Sequence, residues 1–580
     1  MDATTTTLAI LALGILLVVG GILLFRLHAF LALILGACTV SALTPSSSIR
    51  EYVLRRDGFK IVMPSTYQRL YSPGDDAVSP GVQPGEVLVR LRSRNDVEEG
   101  QICRLFRDHE GNLVEETTVT LRVKQSLSGR LPSGKVEPVA LAEVVAGPTS
   151  ADVKAGDLVL TVSAVRAADN LAGQPFPARV TAAFGSTCGK IGVLIALASI
   201  VGMCLLESGA ADRVVRTTLR FFGEKGAPLS FLSSGFLLGI PVFFDTVFYL
   251  MIPLGKAMRL RTGRNYLLYV LTIVAGAAMA HSLVPPTPGP LFVAEQLGVD
   301  IGIMILGGCI VGFFAALFGY IYASLAARVW DLPLRESPDF SLEEMKTITE
   351  RDESALPPFW LSLAPILLPV LLIGGNTVLK RMAGVPAEIK NAGDILGDKN
   401  VALGISAAIA LWTLIRQKQS NLKELAGSVQ SSLASGGVII LITAAGGAFG
   451  AVLQQTGVAG LIRDLPAASP WTIIVLAFLI TTAIRTAQGS ATVAMITAVG
   501  ILSGVVAGGN LPFHPVYLAL AIGCGSKPIA WMNDSGFWVI TKMSGMTEAE
   551  GLKYVTPMTA SMGVIGLIVT LVGVTFLPMV

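Results

Sequence analysis

Four short clusters of polar, proline and glycine residues interrupt long apolar stretches of this sequence, and each holds groups that can bind an ion or an anionic solute. In Gly239-Ile-Pro-Val-Phe-Phe-Asp245, Pro241 frees backbone groups beside the small Gly239, and Asp245 sets a carboxylate among aromatic residues. An acid in such surroundings is costly and usually functional. Asp245 is therefore a candidate proton carrier, the plainer alternative being a carboxylate that caps a helix. In His281-Ser-Leu-Val-Pro-Pro-Thr-Pro-Gly-Pro290, four prolines in six positions forbid a continuous helix. His281 is either a second proton carrier or a hydrogen-bonded structural group, and Ser282 and Thr287 offer hydroxyls to an anionic or polyhydroxylated ligand. In Arg485-Thr-Ala-Gln-Gly-Ser-Ala-Thr492, Gly489 lets the backbone approach a ligand. The amides around Ser490 and Thr492 suit an anion cradle at a helix start. Arg485 offers a bidentate fork to a carboxylate or pairs with an acid such as Asp534. The fourth cluster, Gly523-Cys-Gly-Ser-Lys527 into Trp531-Met-Asn-Asp-Ser-Gly-Phe-Trp538, gathers Asn533, Asp534 and Ser535 between two tryptophans, with Asp534 a third candidate for proton coupling. No nucleophile, base and oxyanion donor can be assembled from these motifs, so the chemistry is binding and transfer rather than catalysis.

The elements that must hold these clusters are membrane helices. The 580 residues are 52% hydrophobic and only 14% charged, and stretches of about 20 apolar residues, enough to cross a bilayer, recur along the chain. The formal net charge of +3 and the absence of any Lys/Arg run exclude nucleic acid as a partner. The six cysteines point to neither a disulfide framework nor a metal site, and no cofactor is implied beyond a coupling ion. Residues 1–45 read as two transmembrane helices. Residues 46–177 change character, with dense charge, Gly/Pro turns and runs of period two such as Glu86-Val-Leu-Val-Arg-Leu-Arg, Thr118-Val-Thr-Leu-Arg-Val and Asp157-Leu-Val-Leu-Thr-Val. This is a small β-rich soluble insert; its lone His109 supports no metal pair.

Beyond the insert the chain repeats itself. Residues 178–327 and 426–580 are two transporter repeats, joined by 328–425 with two further membrane helices. Leu206-Glu-Ser-Gly209 matches Gln454-Gln-Thr-Gly457, and Thr287-Pro-Gly-Pro290 matches Asp534-Ser-Gly-Phe537 at nearly the same offset. Basic residues flank the broken stretch Leu229–Leu254 at both ends, while Arg416, Lys418 and Lys423 precede Trp471–Val506. By the positive-inside rule the first stretch is an inward hairpin and the second an outward one, the inverted arrangement typical of secondary transporters. The expected fold is an all-α polytopic membrane protein, an inverted-repeat transporter with two re-entrant hairpins and broken helices, plus the β-rich insert on the extracytoplasmic side.

At these four clusters, in this order and spacing, the chain resembles the gluconate permease family, the gluconate:proton symporters of the ion transporter superfamily. The resemblance covers most of Phe184–Val580 and the first two helices. It implies a proton-coupled symporter for gluconate or a related sugar or hydroxy acid, working by an elevator-like mechanism as a homodimer in the plasma (inner) membrane. Two features depart from the family pattern. The insert is extra, and is a candidate contact for an outside protein partner. Lys527 places a cation where a neutral residue is expected, which either changes substrate choice or pairs with Asp534. Two rival readings are a sodium-coupled carboxylate transporter and a membrane receptor that uses the insert.

Overall fold

The computed structural model describes residues 3–23, 25, 27–63, 66, 69–71, 86–91, 93, 96–107, 115–130, 136–146, 153–335, 356–382, 384–418, 422–457, 469–507 and 511–579. His109 lies outside them. Among the described residues eight helices are long and apolar enough to cross a membrane, or nine if the bent pair Ala29–Leu43 and Ser46–Asp57 is one span. The chain is a multi-pass, mostly helical membrane protein with one closed β-sheet. The helix α11 (Ile301–Val329) shows why hydrocarbon is its solvent. Leu306, Ile310, Phe313, Leu317, Ile321 and Leu325 recur at helical spacing and stay exposed. The opposite face buries Gly308, Gly312, Ala315, Gly319 and Ala323. Small residues inward and large apolar ones outward are the pattern of helices packed within a bilayer.

The chain divides into two compact units. The first comprises Cys38–Arg179 with Met1–Leu13 and Val452–Leu465. Its sheet has seven strands: β1 (Phe59–Val62), β2 (Arg69–Tyr71), β3 (Glu86–Arg90), β4 (Ile102–Arg107), β5 (Glu115–Arg130), β6 (Val136–Ala146) and β7 (Leu158–Thr161). The order β5-β4-β7-β1-β3-β6 is closed by a further β5–β6 pairing, and β2 adds to β5 outside the ring. The period-two runs explain the interior. Cys103 and Leu105, then Val119, Leu121 and Val123, alternate inward onto Ile61, Val89, Ala140, Ala142 and Val159. β5 is long enough, at 16 residues, to pair with β4 near one end and β6 near the other, and irregularities at Thr120/Leu121 and Val123/Gln125 mark its bend. Closure leaves those six strands without a free edge. The helices α3 (Ser46–Asp57) and α4 (Val162–Gly173) bracket the sheet, packing Val53, Leu54, Val165 and Ala168 with Phe106, Leu158 and Leu160. Thr161 caps α4 by accepting from the Ala164 amide. The insert is thus a closed sheet between two helices, a finer division than period-two patterning reveals.

The second unit holds Gly14–Ala37, Val180–Ala451 and Pro466–Val580. Two series of elements in it follow similar orders, the first with one helix, Ala210–Phe222, that has no counterpart among the described residues of the second. The first series runs α5 (Phe176–Glu207), α6 (Ala210–Phe222), α7 (Ala227–Leu238), α8 (Phe244–Thr262), α9 (Tyr266–Leu283), α10 (Pro288–Gln296) and α11. After α12 (Phe359–Arg381), α13 (Ala387–Leu396) and α14 (Lys399–Lys418) comes the second: α15 (Leu422–Gln454), α16 (Pro470–Gln488), α17 (Ala491–Ala507), α18 (Val516–Gly525), α19 (Ser535–Ser544) and α20 (Glu548–Phe576). The opening helices α5 and α15 have 32 and 33 residues and are followed closely by Gly209 and Gly457, at φ 77° and 83°. The closing helices α11 and α20 have 29 residues each. Between them each series has a helix pair joined by a short turn and a helix broken by an unwound stretch. Two apolar helices, α1 (Ala3–Leu23) and α2 (Ala29–Leu43), lie near the N-terminus.

Candidate functional site

The four polar clusters are the four places where these helices come apart. Residues 239–243 separate α7 from α8, 284–287 separate α9 from α10, Gly489 and Ser490 separate α16 from α17, and 526–534 separate α18 from α19. The breaks meet. A Cβ on Gly523 would stand 2.7 Å from the Ser282 carbonyl oxygen, and one on Gly289 would be 3.8 Å from the Thr492 Cα. Gly489 sits at φ +81° with no room for a side chain, because a Cβ would overlap the Asn533 carbonyl oxygen. A left-handed backbone at van der Waals contact with a neighbour is a position that only glycine fills without strain.

Where they meet is a cavity of about 360 Å³, in the range of pockets that hold small solutes. Its lining brings together seven of the residues singled out in the sequence: Asp245, His281, Arg485, Ser490, Thr492, Asp534 and Ser535. Lys527 lines it as well. Six do not reach it. Gly239 packs on the Ala277 backbone, Pro241 turns its carbonyl toward Gly202, and the Thr287 hydroxyl donates to the Val284 carbonyl at 2.7 Å. Ser282 is fully buried and its hydroxyl has no partner among the described residues. Gly489 serves the turn, and the Asn533 amide donates to the carbonyls of Thr486 (2.7 Å) and Ala487 (3.3 Å), closing the C-terminus of α16.

Three helix starts contribute to the cavity wall. Phe244–Thr246 opens α8, Ala491 and Thr492 open α17, and Ser535 and Gly536 open α19, and all these residues line the cavity. Helix N-termini carry partial positive charge, so three together favour an anion. The fixed charges are arranged unevenly. Arg485, 4% exposed, donates its Nε to the Ser526 carbonyl at 3.0 Å and its Nη2 to Asp534. The other Asp534 oxygen accepts from the Gly536 amide at 2.9 Å, so Asp534 caps α19 while pairing with Arg485. Asp245 is not the cap of α8, which is Phe243, and it makes no hydrogen bond or ion pair among the described residues. His281 presents its ring edge-on to Phe243, centroids 6.3 Å apart, and its Nδ1 has no partner among the described residues.

Sequence reasoning missed part of the lining. Thr246 and Ser526 adjoin residues it did mark, so a wider reading of each cluster would have found them. Thr559 in α20 and Ser435 in α15 come from helices read only as spans. The run Ser431-Ser-Leu-Ala-Ser-Gly-Gly437 was the available signal for Ser435, whereas Thr559 had none.

Comparison with known proteins agrees with this architecture. The family described as GntP family permease matches residues 157–576. A gluconate permease of Pseudomonas aeruginosa is 35% identical over 391 residues, 66% of this chain and 84% of the relative. A low-affinity gluconate transporter of Escherichia coli is 30% identical, covering 67% of this chain and 86% of its own. The Gnt-II system L-idonate transporter of the same organism is 27% identical over 71% and 92%. Among solved structures, MtrF of Neisseria gonorrhoeae, described as illuminating a class of antimetabolite efflux pumps, aligns with a TM-score of 0.54 at 16% identity, over 75% of this chain and 89% of that one. The YdaH transporter of Alcanivorax borkumensis gives 0.51 at 13%, over 74% and 93%. At such identities these two speak for the fold alone.

Proposed function

This chain belongs to the GntP family of permeases, and on that premise we propose that its cavity carries a small sugar-acid anion, gluconate or a close relative, in symport with a proton. It is a transporter rather than an enzyme. The observation that carries the substrate class is the cavity itself: three helix starts and two cations favour a carboxylate, while Asp245, Asp534, Ser490, Thr492 and Ser535 suit a chain of hydroxyls.

Proton coupling follows from charge balance. Counting Arg485 and Lys527 as cations and Asp245 and Asp534 as anions, the ionisable groups lining the empty cavity sum to zero. Adding a monoanion leaves one negative charge in surroundings that penalise it. Protonating Asp245 restores neutrality, so substrate and proton cross together. His281 and Asp534 are the other groups able to take the proton, and Asp534 is already committed to Arg485. The similar order of elements in the two series supports two inverted repeats, with Leu229–Leu254 and Trp471–Val506 as re-entrant hairpins whose tips carry the cavity in an elevator-like movement. Residence in the plasma membrane as a homodimer, with the insert outside, rests on the family resemblance and the distribution of basic loops.

The test is uptake of labelled D-gluconate into proteoliposomes. Accumulation should follow an inwardly directed proton gradient and survive replacement of sodium by choline. Asp245→Asn should still exchange substrate at equilibrium and lose the gradient-driven component. Accumulation independent of the gradient removes proton coupling, collapse in choline gives sodium that role, and absence of uptake for every sugar acid sinks the substrate assignment.

A further inference from the structure

We propose that Lys527, not Arg485, receives the substrate's carboxylate, and that the cavity therefore selects monocarboxylates; this rests on the transport reading above. Lys527 stands just after α18, is 7% exposed and lines the cavity. Its ammonium donates to the Ala278 carbonyl at 2.9 Å. An ammonium has three donors, and no carboxylate of the described residues comes within ion-pair distance of this one. Arg485 is differently placed. Its Nε and Nη2 are spent on Ser526 and Asp534, leaving Nη1 alone without a partner among the described residues. A ligand carboxylate arriving there would compete with Asp534 for a guanidinium already neutralised. At Lys527 it would meet a buried cation whose counter-ion the protein does not supply, the condition under which an ionic contact gains most from forming.

The neighbours of Lys527 sharpen this polarity. Arg485, with Asp534 bound to it, and His281 line the same cavity. Asp245 lines it too and forms no ion pair among the described residues. Lys527 is thus a cation, and Asp245 an acid, that the protein leaves without an ionic partner among the described residues. A sugar acid fits with its carboxylate on Lys527 and its hydroxyls donating toward Asp245 and Asp534. A second carboxylate at the far end of the same molecule would find no unpaired cation, and Asp245 would repel it.

The experiment compares D-gluconate, its neutral amide and the dicarboxylate D-glucarate as competitors of uptake and as ligands in thermal-shift titrations, for the wild type, Lys527→Gln and Lys527→Arg. In the wild type gluconate should bind roughly 10- to 100-fold more tightly than the amide, the ratio expected of one charged hydrogen-bonded contact, and glucarate should bind more weakly than gluconate. Lys527→Gln should raise the gluconate KM toward that of the amide, and Lys527→Arg should recover part of the loss. A Lys527→Gln protein that keeps the gap between acid and amide overturns the proposal. So does a wild type that binds the amide or glucarate as well as gluconate, a result that needs no variant to fold. Should the wild type carry a different monocarboxylate and no sugar acid, the same acid-to-amide gap measured on that compound decides Lys527, and only the sugar-acid reading falls.

Discussion

At the scale of single residues, the Arg485–Asp534 pair is where structure and transport meet. Both groups are buried and each also holds backbone, Arg485 at Ser526 and Asp534 at the start of α19. Removing one partner strands the other charge, which costs about 3–5 kcal/mol at a buried site. Arg485→Gln should therefore destabilise strongly, and so should Asp534→Asn, although asparagine still caps a helix. The double variant should lose less than the sum, with a coupling on the order of 1–3 kcal/mol, the range found for residues in one network. Reversible unfolding in detergent across the four proteins measures this, and strict additivity would show that the contact contributes no more than two separate side chains. Both residues were legible in the sequence, because a charge inside an apolar stretch stands out whatever the fold. What the sequence left open for Arg485, ligand contact or pairing with Asp534, is a matter of distance, and the packed helices bring Arg485 and Asp534 into an ion pair at the cavity.

At the scale of elements, breaks were easier to read than helices. Proline and glycine act through their own backbone, so the unwound stretches at 239–243, 284–287, 489–490 and 526–534 fall where the local sequence put them. Helix ends fixed by partners were less legible. The apolar stretch Leu229–Leu254 gave no sign that α8 continues to Thr262 past Lys256, a charged residue buried to 2% exposure. Asn533, read as a ligand group, donates its amide to the α16 carbonyls, a partner that becomes visible only when the third break is laid against the fourth. That contact makes a prediction about the turn. Gly489→Ala would force a left-handed backbone on alanine, at a cost of about 1–2 kcal/mol, and also drive its methyl into Asn533. Uptake should fall by at least roughly tenfold, since 1.4 kcal/mol at the binding step already suffices, while circular dichroism keeps its helical signal. Gly404→Ala in α14, where a Cβ meets open space, is the control and should transport normally. Equal activity of the two variants would mean that the third and fourth breaks do not work as one piece.

At the scale of the whole chain, composition was enough to separate a charged, period-two insert from the membrane helices, but it could not reveal how the insert closes. Closure depends on β5 reaching both β4 and β6, a pairing between distant strands that alternation alone does not specify. The closed form makes the insert separable. The chain enters through β1 and leaves through β7, and these lie side by side, with Phe59 opposite Val159 and Lys60 opposite Leu158. Adjacent ends are what make a domain removable or able to stand alone, and the family match begins only at residue 157. Replacing residues 58–161 by a short Gly/Ser linker should leave the gluconate KM within about twofold, as expected when the permease core is folded independently of an inserted domain. The complementary fragment, residues 46–175, should fold as a soluble β protein with Cys103 as its one cysteine. That thiol is fully buried and pushed up to about 11 by desolvation, and only the thiolate reacts quickly with alkylating agents. Cys103 should therefore resist iodoacetamide at pH 8 and become reactive when urea opens the sheet. Because the folded thiol holds its proton well above the usual thiol value near 9, the unfolded state loses a proton first as pH rises, and the stability of the fragment should decline between about pH 9 and 11. Rapid alkylation of the native fragment at pH 8, or transport abolished by a linker that leaves the membrane unit folded, would show instead that the insert is held together by the permease or required by it.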